Sequence, residues 1–522
     1  MSRTIRKNDK IVFKDYDMNQ MCLPMNLEDL IPANHVVRVI NNYVERMDIQ
    51  PLLDKYKGGG TSSYHPKMML KVLIYAYSQK IYSSRKIAKA IRENIPFMWL
   101  SGNNWPDFRT INRFRSTTMK DISEQIFASV LDMLIKDGYI NYEQYFVDGT
   151  KIEANSNKYT FVWAKSTKRY KEQLEQKVKR LFEEIDELNA LEDKEYEGFD
   201  LDEMGERSTL TAERLEKRVR ELNEKLAGKP QPKKIYRLIR TLEKDCLERQ
   251  RKYERYEEIL EDRNSFSKTD PDATFMRMKE DHMRNGQLKP GYNIQIGTEN
   301  QFILGYSVHQ NRTDTGCLID HLEQLKQMNG RVPEKIIADA GYGSEENYLY
   351  LQENKLDSYI KYNTYHKEQK RKTKKDPFWT GNWPYIDHCD EFICPQGQRM
   401  IYLFTKHGKT KQGYETETRI YECEDCSGCP VKNQCTKSSG NRRLQRNIRM
   451  EQFREEARNK LLSDTGREIY GRRKVEVEPV FGQLKWNREF RRFLLRGLEK
   501  VKAEWGILCI AHNMRKVAGA RA

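Results

Sequence analysis

Three acidic residues that lie far apart in the chain, Asp148, Asp339 and Glu478, are the strongest candidates for chemistry. Each aspartate directly follows a short apolar run, at 145–147 or 336–338, and glycine lies close behind it. An acidic residue at the exit of a buried strand is a common way to hold a carboxylate at a sheet edge. Three neighbouring carboxylates raise one another's pKa values, so they need a cation. A pair of divalent ions with oxygen ligands would satisfy them, and this arrangement cuts and joins phosphodiesters.

The surroundings of Glu478 favour a groove that binds phosphates. Lys485 follows seven positions later, two helical turns away, so on a helix the two side chains share one face. Pro479 is tolerated in the first turn of a helix, which predicts that a helix begins or bends at Glu478. Glu476 is an alternative third acid, but the spacing to Lys485 favours Glu478. The flanking basic residues suit contact with DNA phosphates; they are Arg473, Lys474, Arg488, Arg491 and Arg492.

Simpler interpretations exist for each of these elements taken alone. An aspartate that ends a strand beside glycine is more often a turn residue. A run of charged residues is usually the solvated face of a helix. The order of the three acids and the residues around them favour the catalytic interpretation.

Three segments resemble the DDE transposases of bacterial insertion sequences. They are 145–155 (YFVDGTKIEAN), 338–342 (ADAGY) and 477–485 (VEPVFGQLK). More narrowly, they look like the insertion-sequence eleven-eighty-two group, within the superfamily related to insertion sequence four. The resemblance appears in order and covers nearly the whole chain. It implies a ribonuclease-H-like catalytic core in which the three acids bind metal.

The wider superfamily has a signature of Tyr, two residues, Arg, three residues, Glu, six residues and Lys. Here the spacing from Glu478 to Lys485 fits. Arg473 lies one position too far upstream of Glu478, and Lys474 has the distance that the signature gives to arginine. The roles of Tyr470, Arg473 and Lys474 therefore stay open, although we expect all three to contact DNA.

The resemblance implies a transposase that binds the ends of an insertion sequence and catalyses metal-dependent DNA cleavage and strand transfer. Two magnesium ions held by Asp148, Asp339 and Glu478 would serve the reaction, with Lys485 as a fourth catalytic group. The partners would be double-stranded DNA, as terminal inverted repeats and as target, and a second copy of the chain in a homodimeric synaptic complex. Two alternatives remain: a nuclease that cuts but never joins, and a DNA-binding descendant of a transposase without catalysis.

Composition agrees with a polyanionic partner. The 522 residues carry a net charge of +16, and 33% of them are charged. No apolar stretch follows the basic start, which argues against a signal peptide. No run approaches the roughly 18 apolar residues of a membrane span. We therefore expect a cytoplasmic protein that is not associated with a membrane, and the resemblance implies a bacterial protein that acts on the nucleoid.

Residues 1–125 are predicted to form a helical domain, and the resemblance to the transposases implies that this domain binds DNA. Apolar positions at helical spacing follow Pro66, and Ser83 and Ser84 can cap a second helix. A third helix opens near 106 and places Arg109 and Arg113 on one face. Such helices suit a helix-turn-helix-like fold that lays the arginines in a DNA groove. A plain helical bundle with a basic face is the alternative.

The α/β catalytic core is predicted from three stretches, 140–165, 262–365 and 446–516, with two inserts between them. Two strands at 292–298 and 302–308, a helix and the Asp339 strand suit a ribonuclease-H-like sheet. The first insert, 166–261, has apolar residues three or four apart, which predicts coiled-coil packing. It either packs on itself or serves as a dimerisation or DNA-embracing arm.

The second insert, residues 366–445, is cysteine-rich and predicts a zinc-ribbon-like unit. Cys423, Cys426, Cys429 and Cys435 are spaced closely enough for four thiolates around one structural zinc ion, and Cys394 could replace one of them. Disulfides are improbable in a reducing cytosol. Free thiols and an iron–sulfur centre are the alternatives.

Overall fold

The computed structural model describes residues 26–56, 63–157, 160–193, 210–226, 233–278, 288–410 and 412–521. These residues form a mixed α/β fold. Residues 197–200 (EGFD), whose sequence predicts a loop in the first insert, and residues 228–230 (GKP), which predict the end of one of its helices, lie outside them.

Short helices build the first part of the described chain, as the sequence pattern predicts. The helix with Arg109 and Arg113 starts after Asp107, whose carboxylate accepts a hydrogen bond from the Thr110 amide. Both arginines are exposed, whereas Ile111 is buried. The helices are α1 (Val36–Arg46), α2 (Gln50–Leu53), α3 (Pro66–Ser78), α4 (Ser84–Glu93), α5 (Ile95–Ser101), α6 (Phe108–Arg113) and α7 (Met119–Lys136).

A central sheet with a helical insert follows. Its elements are, in chain order, β1 (Gln144–Glu153), β2 (Phe161–Trp163), α8 (Ala164–Asp193), α9 (Ala212–Leu226), α10 (Lys233–Thr241), α11 (Leu247–Leu260), β3 (Ser265–Ser267), β4 (Thr274–Arg277), β5 (Leu288–Glu299), β6 (Phe302–His309), α12 (Leu318–Asn329), β7 (Lys335–Ala338), α13 (Glu345–Glu353) and β8 (Asp357–Ile360). Within the described residues the strand order is β6, β5, β1, β7, β8, with β4 beside the start of β5. β5 is antiparallel to β1, whereas β7 and β8 continue the sheet in parallel.

Asp148 lies inside β1 and not at its exit, contrary to the prediction. β1 continues to Glu153 because its antiparallel partner β5 pairs with it that far. On the other side, the parallel pairing with β7 covers only residues 144–146. Asp148 therefore lies just beyond the end of that pairing, where a carboxylate can leave the sheet.

The insert between β2 and β3 has a core of its own. α8, α9, α10 and α11 bury most of the apolar positions that the spacing predicts, and α10 joins α11 through the π-helical turn Leu242–Cys246. At its base, β2 pairs with β3, and Ala164 N donates to Asn264 O at 3.0 Å. The buried residues of this core include Leu174, Val178, Ile185, Leu215, Val219, Leu222, Ile235, Ile239 and Leu242.

The cysteine-rich stretch forms a second sheet, and helices complete the chain. The elements are α14 (Tyr365–Glu368), α15 (Arg371–Lys374), β9 (Tyr385–Ile386), β10 (Glu391–Ile393), β11 (Arg399–Lys409), β12 (Glu415–Cys423), α16 (Lys432–Cys435), β13 (Arg443–Arg446), α17 (Ile448–Leu462), α18 (Asp464–Glu476), α19 (Glu478–Gly482) and α20 (Leu498–Arg521). β9 to β13 pair antiparallel, each with the next in the chain.

One large hydrophobic core joins the N-terminal helices to the central sheet. α6 runs through a π-helical turn, Phe114–Thr118, into α7, so the boundary predicted at 125 falls inside a continuous helix. α20 packs against α3, α7 and β6. The buried cluster accordingly spans Ile31 to Ala518. Among the described helices, none combines the length and the apolar character that crossing a bilayer would take.

Candidate active site

The sheet register brings Asp148 and Asp339 together. Phe146 pairs with Ile337 in the parallel ladder between β1 and β7, and each aspartate lies two residues further on. Since parallel strands advance in step, the two carboxylates emerge side by side at the same end of the ladder. Residues separated by almost two hundred positions in the chain thus become neighbours.

Each aspartate is oriented by a backbone amide directly after it. Asp148 Oδ1 accepts a hydrogen bond from Gly149 N at 2.8 Å, and Asp339 Oδ1 accepts one from Gly341 N at 2.8 Å. Asp339 also caps the short 3₁₀ turn Ala340–Tyr342. These bonds use one oxygen of each carboxylate.

Glu478 reaches the same place through a break between two helices. α18 ends at Glu476, and α19 begins at Glu478 with Pro479 in its first turn. The break confirms the structural effect predicted for the proline, which cannot donate a hydrogen bond to the preceding turn. Glu476, the alternative acid, is 5% exposed and faces away towards Arg472 and the Gln301 amide.

A single guanidinium lies among the three acids. Arg473 Nη2 is 3.5 Å from Asp148 Oδ2 and 3.6 Å from Asp339 Oδ2. Its Nη1 is 3.5 Å from Glu478 Oε1. The side chains of Arg473 and Asp148 are 12% exposed, whereas those of Asp339 and Glu478 are 42% and 54% exposed. The site is therefore a buried aspartate with two more open acids around it.

The donor set fits a hard divalent cation, because carboxylate oxygens are the ligands that Mg²⁺ prefers. In their present arrangement, however, the three carboxylates do not surround a position that fits such an ion. Among the described residues, no group of three or more acidic, histidine or cysteine side chains is placed to hold a metal ion. At the three acids, the guanidinium of Arg473 contributes positive charge within 3.6 Å of each.

A buried layer of hydrogen-bonded polar side chains lies against Gly149, directly after Asp148. The sequence suggests Asp314 as a brace for the site, but not its partners Asn293 and Gln295. Asp314 Oδ1 accepts hydrogen bonds from Asn293 Nδ2 at 2.8 Å and from Gln295 Nε2 at 2.9 Å. The Tyr342 hydroxyl donates a hydrogen bond to Gln295 Oε1. A side chain at Gly149 would collide with this layer, since its Cβ would lie 2.6 Å from Asp314 Oδ1. In the sequence, Asn293 and Gln295 alternate with apolar residues along β5, and this pattern could have indicated two amides on one face of the strand.

Electrostatics connect this layer to the acids. The pKa of Tyr342 is raised well above its usual value, first by burial and then by Asp314, Asp148 and Asp339. The Tyr342 hydroxyl therefore stays protonated and remains a hydrogen-bond donor to Gln295.

Lys485, predicted to contact phosphates, is buried. Its ammonium donates to Thr150 Oγ1 at 2.8 Å and to Lys151 O at 3.2 Å, and the residue is 4% exposed. The π-helical turn Gln483–Asn487 after α19 turns it towards β1. In this conformation Lys485 braces the strand that carries Asp148.

A basic cleft of about 510 Å³ opens beside Arg473. Tyr470, half-buried, lies in it with the Lys361 ammonium 3.9 Å above its ring centre, and Lys474 lies exposed on its rim. Burial lowers the pKa of Lys361, and the charges of Arg473 and Lys474 lower it further. Burial raises the pKa of Tyr470 to about 12. The cleft therefore concentrates positive charge next to the acids.

The other predicted DNA contacts differ in how accessible they are. Arg488 is 5% exposed, so it is not accessible to DNA as predicted. Burial lowers its pKa to about 10, and the charge of Arg515 contributes to that shift. Arg491 is exposed and stacks on Trp486 at 4.3 Å. Arg492 donates to Ala154 O and Ser156 O and ties down the segment after β1.

The cysteines of the second sheet gather in one small core. Cys423 and Cys426 are buried there, with Cys394 and Cys435 partly buried against them. Burial raises the pKa of Cys423 to about 12, and Cys426 and Cys394 add to the shift. Burial likewise raises the pKa of Cys435, which also has Cys429 as a neighbour. The donors are soft thiols of the right kind for zinc, but the described residues do not arrange them around a common point.

Two segments of the chain match family models. Residues 393–518 match the model described as Transposase DDE domain, and residues 25–117 match the model described as Transposase domain (DUF772). These matches support a DDE transposase of insertion sequences. No curated protein and no solved structure matches the chain.

The two matches leave the centre of the chain uncovered. The segment similar to a transposase DDE domain contains Glu478 and Arg473, but neither Asp148 nor Asp339. The fold places the two aspartates next to that segment, which the family match alone does not show. A narrower grouping among insertion sequences is not confirmed.

Proposed function

We propose that the protein is a transposase that binds the ends of an insertion sequence and cuts and joins DNA at Asp148, Asp339 and Glu478. The observation that carries this proposal is the convergence of the three acids on Arg473, each within 3.6 Å of its guanidinium. Their distance in the sequence makes an accidental meeting beside a basic cleft improbable.

The strand order supports a ribonuclease-H-like core. The order β6, β5, β1, β7, β8, with β5 antiparallel to the central strand β1, agrees with the strand, hairpin, helix and strand pattern expected from the sequence. In this arrangement the first acid comes from the central strand and the second from the neighbouring parallel strand.

Asp148, Asp339 and Glu478 would hold two magnesium ions. Such ions, when bound, stabilise the charge that develops on the attacking and leaving oxygens of a phosphodiester. The protein's part is to fix the ligands. The amides of Gly149 and Gly341 orient the aspartates, and the break between α18 and α19 places the glutamate beside them.

The basic cleft would bind the DNA strand that enters the site. Lys361, Tyr470 and Lys474 border it, and DNA phosphates neutralise clustered positive charge with release of counterions. Arg491 is exposed enough to add a further contact. Lys485 would keep its position under β1 and thereby fix Asp148 relative to the scissile phosphate.

Two reactions would take place in succession. Water attacks phosphorus at the element end, and the bond to the 3′ oxygen breaks, which leaves a free 3′-hydroxyl. That hydroxyl then attacks a second phosphodiester, so a new phosphorus–oxygen bond forms while the 3′ oxygen of the attacked strand leaves. The protein forms no covalent bond to DNA in either step.

The N-terminal helices would bind the element ends in a helix-turn-helix-like manner. Arg109 and Arg113 are exposed on one face of α6, which suits a helix in a DNA groove. A transposase must hold two ends at once, so we propose a homodimer as the synaptic form. The insert of α8 to α11 is a candidate for an arm in that complex. The protein would act in the cytoplasm, on the nucleoid.

A structural zinc ion in the second sheet completes the proposal. Cys394, Cys423, Cys426, Cys429 and Cys435 supply more thiols than the four that one ion needs, and they lie close together. Zinc would tie α16 to the strands β10 and β12.

The decisive experiment compares the wild type with Asp148→Asn on a DNA duplex that carries the element end. The substitution should abolish cleavage with Mg²⁺ while leaving end binding, measured by electrophoretic mobility shift, within about twofold, since asparagine keeps the size of the side chain and the proposed end-binding residues Arg109 and Arg113 are unchanged. Cleavage that survives the substitution would refute the assignment.

A strand-transfer assay with pre-cleaved ends separates the transposase from a nuclease that only cuts. Joined products support the transposase, and hydrolysis without joining supports the nuclease. If the wild type binds DNA but neither cuts nor joins it, the protein is a DNA-binding descendant of a transposase without catalysis.

A further inference from the structure

We propose that Arg473 serves as a built-in cation of the free active site, which divalent ions must displace. This inference rests on the proposed function, because it concerns the same three carboxylates. In the free protein the guanidinium would hold Asp148, Asp339 and Glu478 together. On metal binding it would move into the neighbouring basic cleft.

The first support is the position of the guanidinium. It contacts all three acids at nearly equal distances of 3.5, 3.6 and 3.5 Å. Three carboxylates at one place repel one another unless a positive charge lies between them. Arg473 meets that need, so its charge occupies the region where metal ions would be expected.

The second support is that these contacts are loose. Charge-assisted hydrogen bonds between arginine and carboxylate are typically about 2.7–2.9 Å long. Elsewhere in this protein, Arg46 binds Asp137 at 2.8 and 2.9 Å, and Arg472 binds Glu476 at 2.7 Å. Arg473 makes no such bidentate pair, and its buried Nε has no hydrogen-bond partner. It is held by charge more than by shape and can be exchanged for another cation.

The third support is the open space next to the Arg473 side chain. It forms part of the wall of the cleft of about 510 Å³ that also includes Lys361, Tyr470 and Lys474. A rotation of the side chain about its own bonds moves the guanidinium from the acids into this space without a change in the fold. A DNA phosphate in the cleft would then accept it.

The test measures Mn²⁺ binding to the full-length protein without DNA, by electron paramagnetic resonance of the free ion. The variants are Arg473→Gln and the control Arg467→Gln, an exposed arginine of the same cleft that pairs with Asp464. Removal of a like charge about 4 Å from the site should tighten binding at least about fivefold in Arg473→Gln. The control should stay within about twofold of the wild type, because it does not touch the acids.

The double variant Asp148→Asn/Arg473→Gln identifies the site and should lose the gained affinity. A thermal melt in EDTA checks folding, and Arg473→Gln should melt lower than the wild type there but gain more from added Mn²⁺.

Two results would overturn the inference, and they have different meanings. If Asp148→Asn weakens Mn²⁺ binding but Arg473→Gln does not tighten it, Arg473 is no competitor and the proposed function still holds. If Asp148→Asn changes binding in neither background, the ions do not bind at the carboxylates, and the proposed function fails as well.

Discussion

Glu476 and Glu478 lie two residues apart and have opposite surroundings. Glu476 is buried, with one oxygen bound to Arg472 and the other to the Gln301 amide. Glu478 is half exposed and contacts only the guanidinium of Arg473 among the ion pairs of the described residues. A carboxylate that must accept a ligand needs an open face, so Glu478 suits the third position.

Replacing each glutamate by glutamine separates the two roles. Glu478→Gln should lower DNA cleavage by about a hundredfold or more, the scale of losing one group that stabilises the transition state. Glu476→Gln should cleave normally but lower the free energy of unfolding by about 1–3 kcal/mol, because it weakens a buried hydrogen-bonded pair. Cleavage rates and urea unfolding curves measure both. Loss of cleavage only in Glu476→Gln would reverse the assignment.

Buried histidines make stability depend on pH. His321 lies between Tyr145 and Ser307, and Ser307 also binds His309. Burial lowers the pKa of His321 to about 3 and that of His309 to about 4, so both are neutral in the folded protein. Below about pH 6.5 the unfolded chain binds more protons than the folded one, and stability therefore falls as the pH falls.

Between pH 6 and pH 5 the free energy of unfolding should drop by about 1.2 kcal/mol for each such histidine. The variant His321→Gln should reduce this slope. His407→Gln should keep it, since the side chain of His407 is 74% exposed. Denaturant titrations at several pH values measure the slope, and equal slopes for all three proteins would contradict the account.

The residues of the candidate site could be predicted from the sequence, and their contacts only partly so. The acids and glycines of the site follow from short motifs in which type and spacing are visible in the sequence. The burial of Arg488 and Lys485 depends on a π-helical turn after α19, and periodicity does not reveal such a turn. The support of Asp314 by Asn293 and Gln295 depends on strand register, which arises from pairing partners far away.

At the scale of elements, the insert of α8 to α11 behaves as a unit. Its apolar positions were predictable because they recur at helical spacing over long stretches. The structure places them in a core of their own, separate from the main one. An apolar stripe that is buried within the insert is not available for a partner, which favours self-packing over dimerisation through that stripe.

Replacing residues 168–257 by a short glycine–serine linker tests this interpretation. Trp163 and Ser265 pair at the base of the insert, so the ends are close enough to join. The shortened protein should unfold cooperatively and keep the oligomeric state of the wild type in sedimentation. A change from dimer to monomer would identify the insert as a dimerisation arm.

The second sheet offers a test of the predicted zinc. Protein purified without chelators should contain about one zinc ion per chain by plasma mass spectrometry. Cys423→Ser should lose the ion and lower the melting temperature, because that thiol is buried in the small core. Cys246→Ser is the control, since Cys246 is buried in the separate core of the insert. Iron with visible absorbance, or no metal at all, would contradict the prediction.

At the scale of the whole molecule, one core unites both ends of the chain. Glu504 on α20 is fully buried and accepts hydrogen bonds from the amides of Leu494 and Leu495 and from the Tyr77 hydroxyl of α3. The N-terminal helices are thus fastened to the segment that follows Glu478. The sequence predicted separate stretches but not this union, because contacts across more than four hundred residues leave no local pattern.

The central claim is that Asp148, Asp339 and Glu478 form one metal-binding catalytic centre. The most direct test is anomalous diffraction from Mn²⁺ in crystals of the full-length protein bound to duplex DNA with an element end. We predict peaks within about 2–2.5 Å of oxygens from all three acids, with Arg473 turned away from them. Peaks elsewhere in the molecule, with the three carboxylates still around Arg473 and DNA in place, would contradict the account.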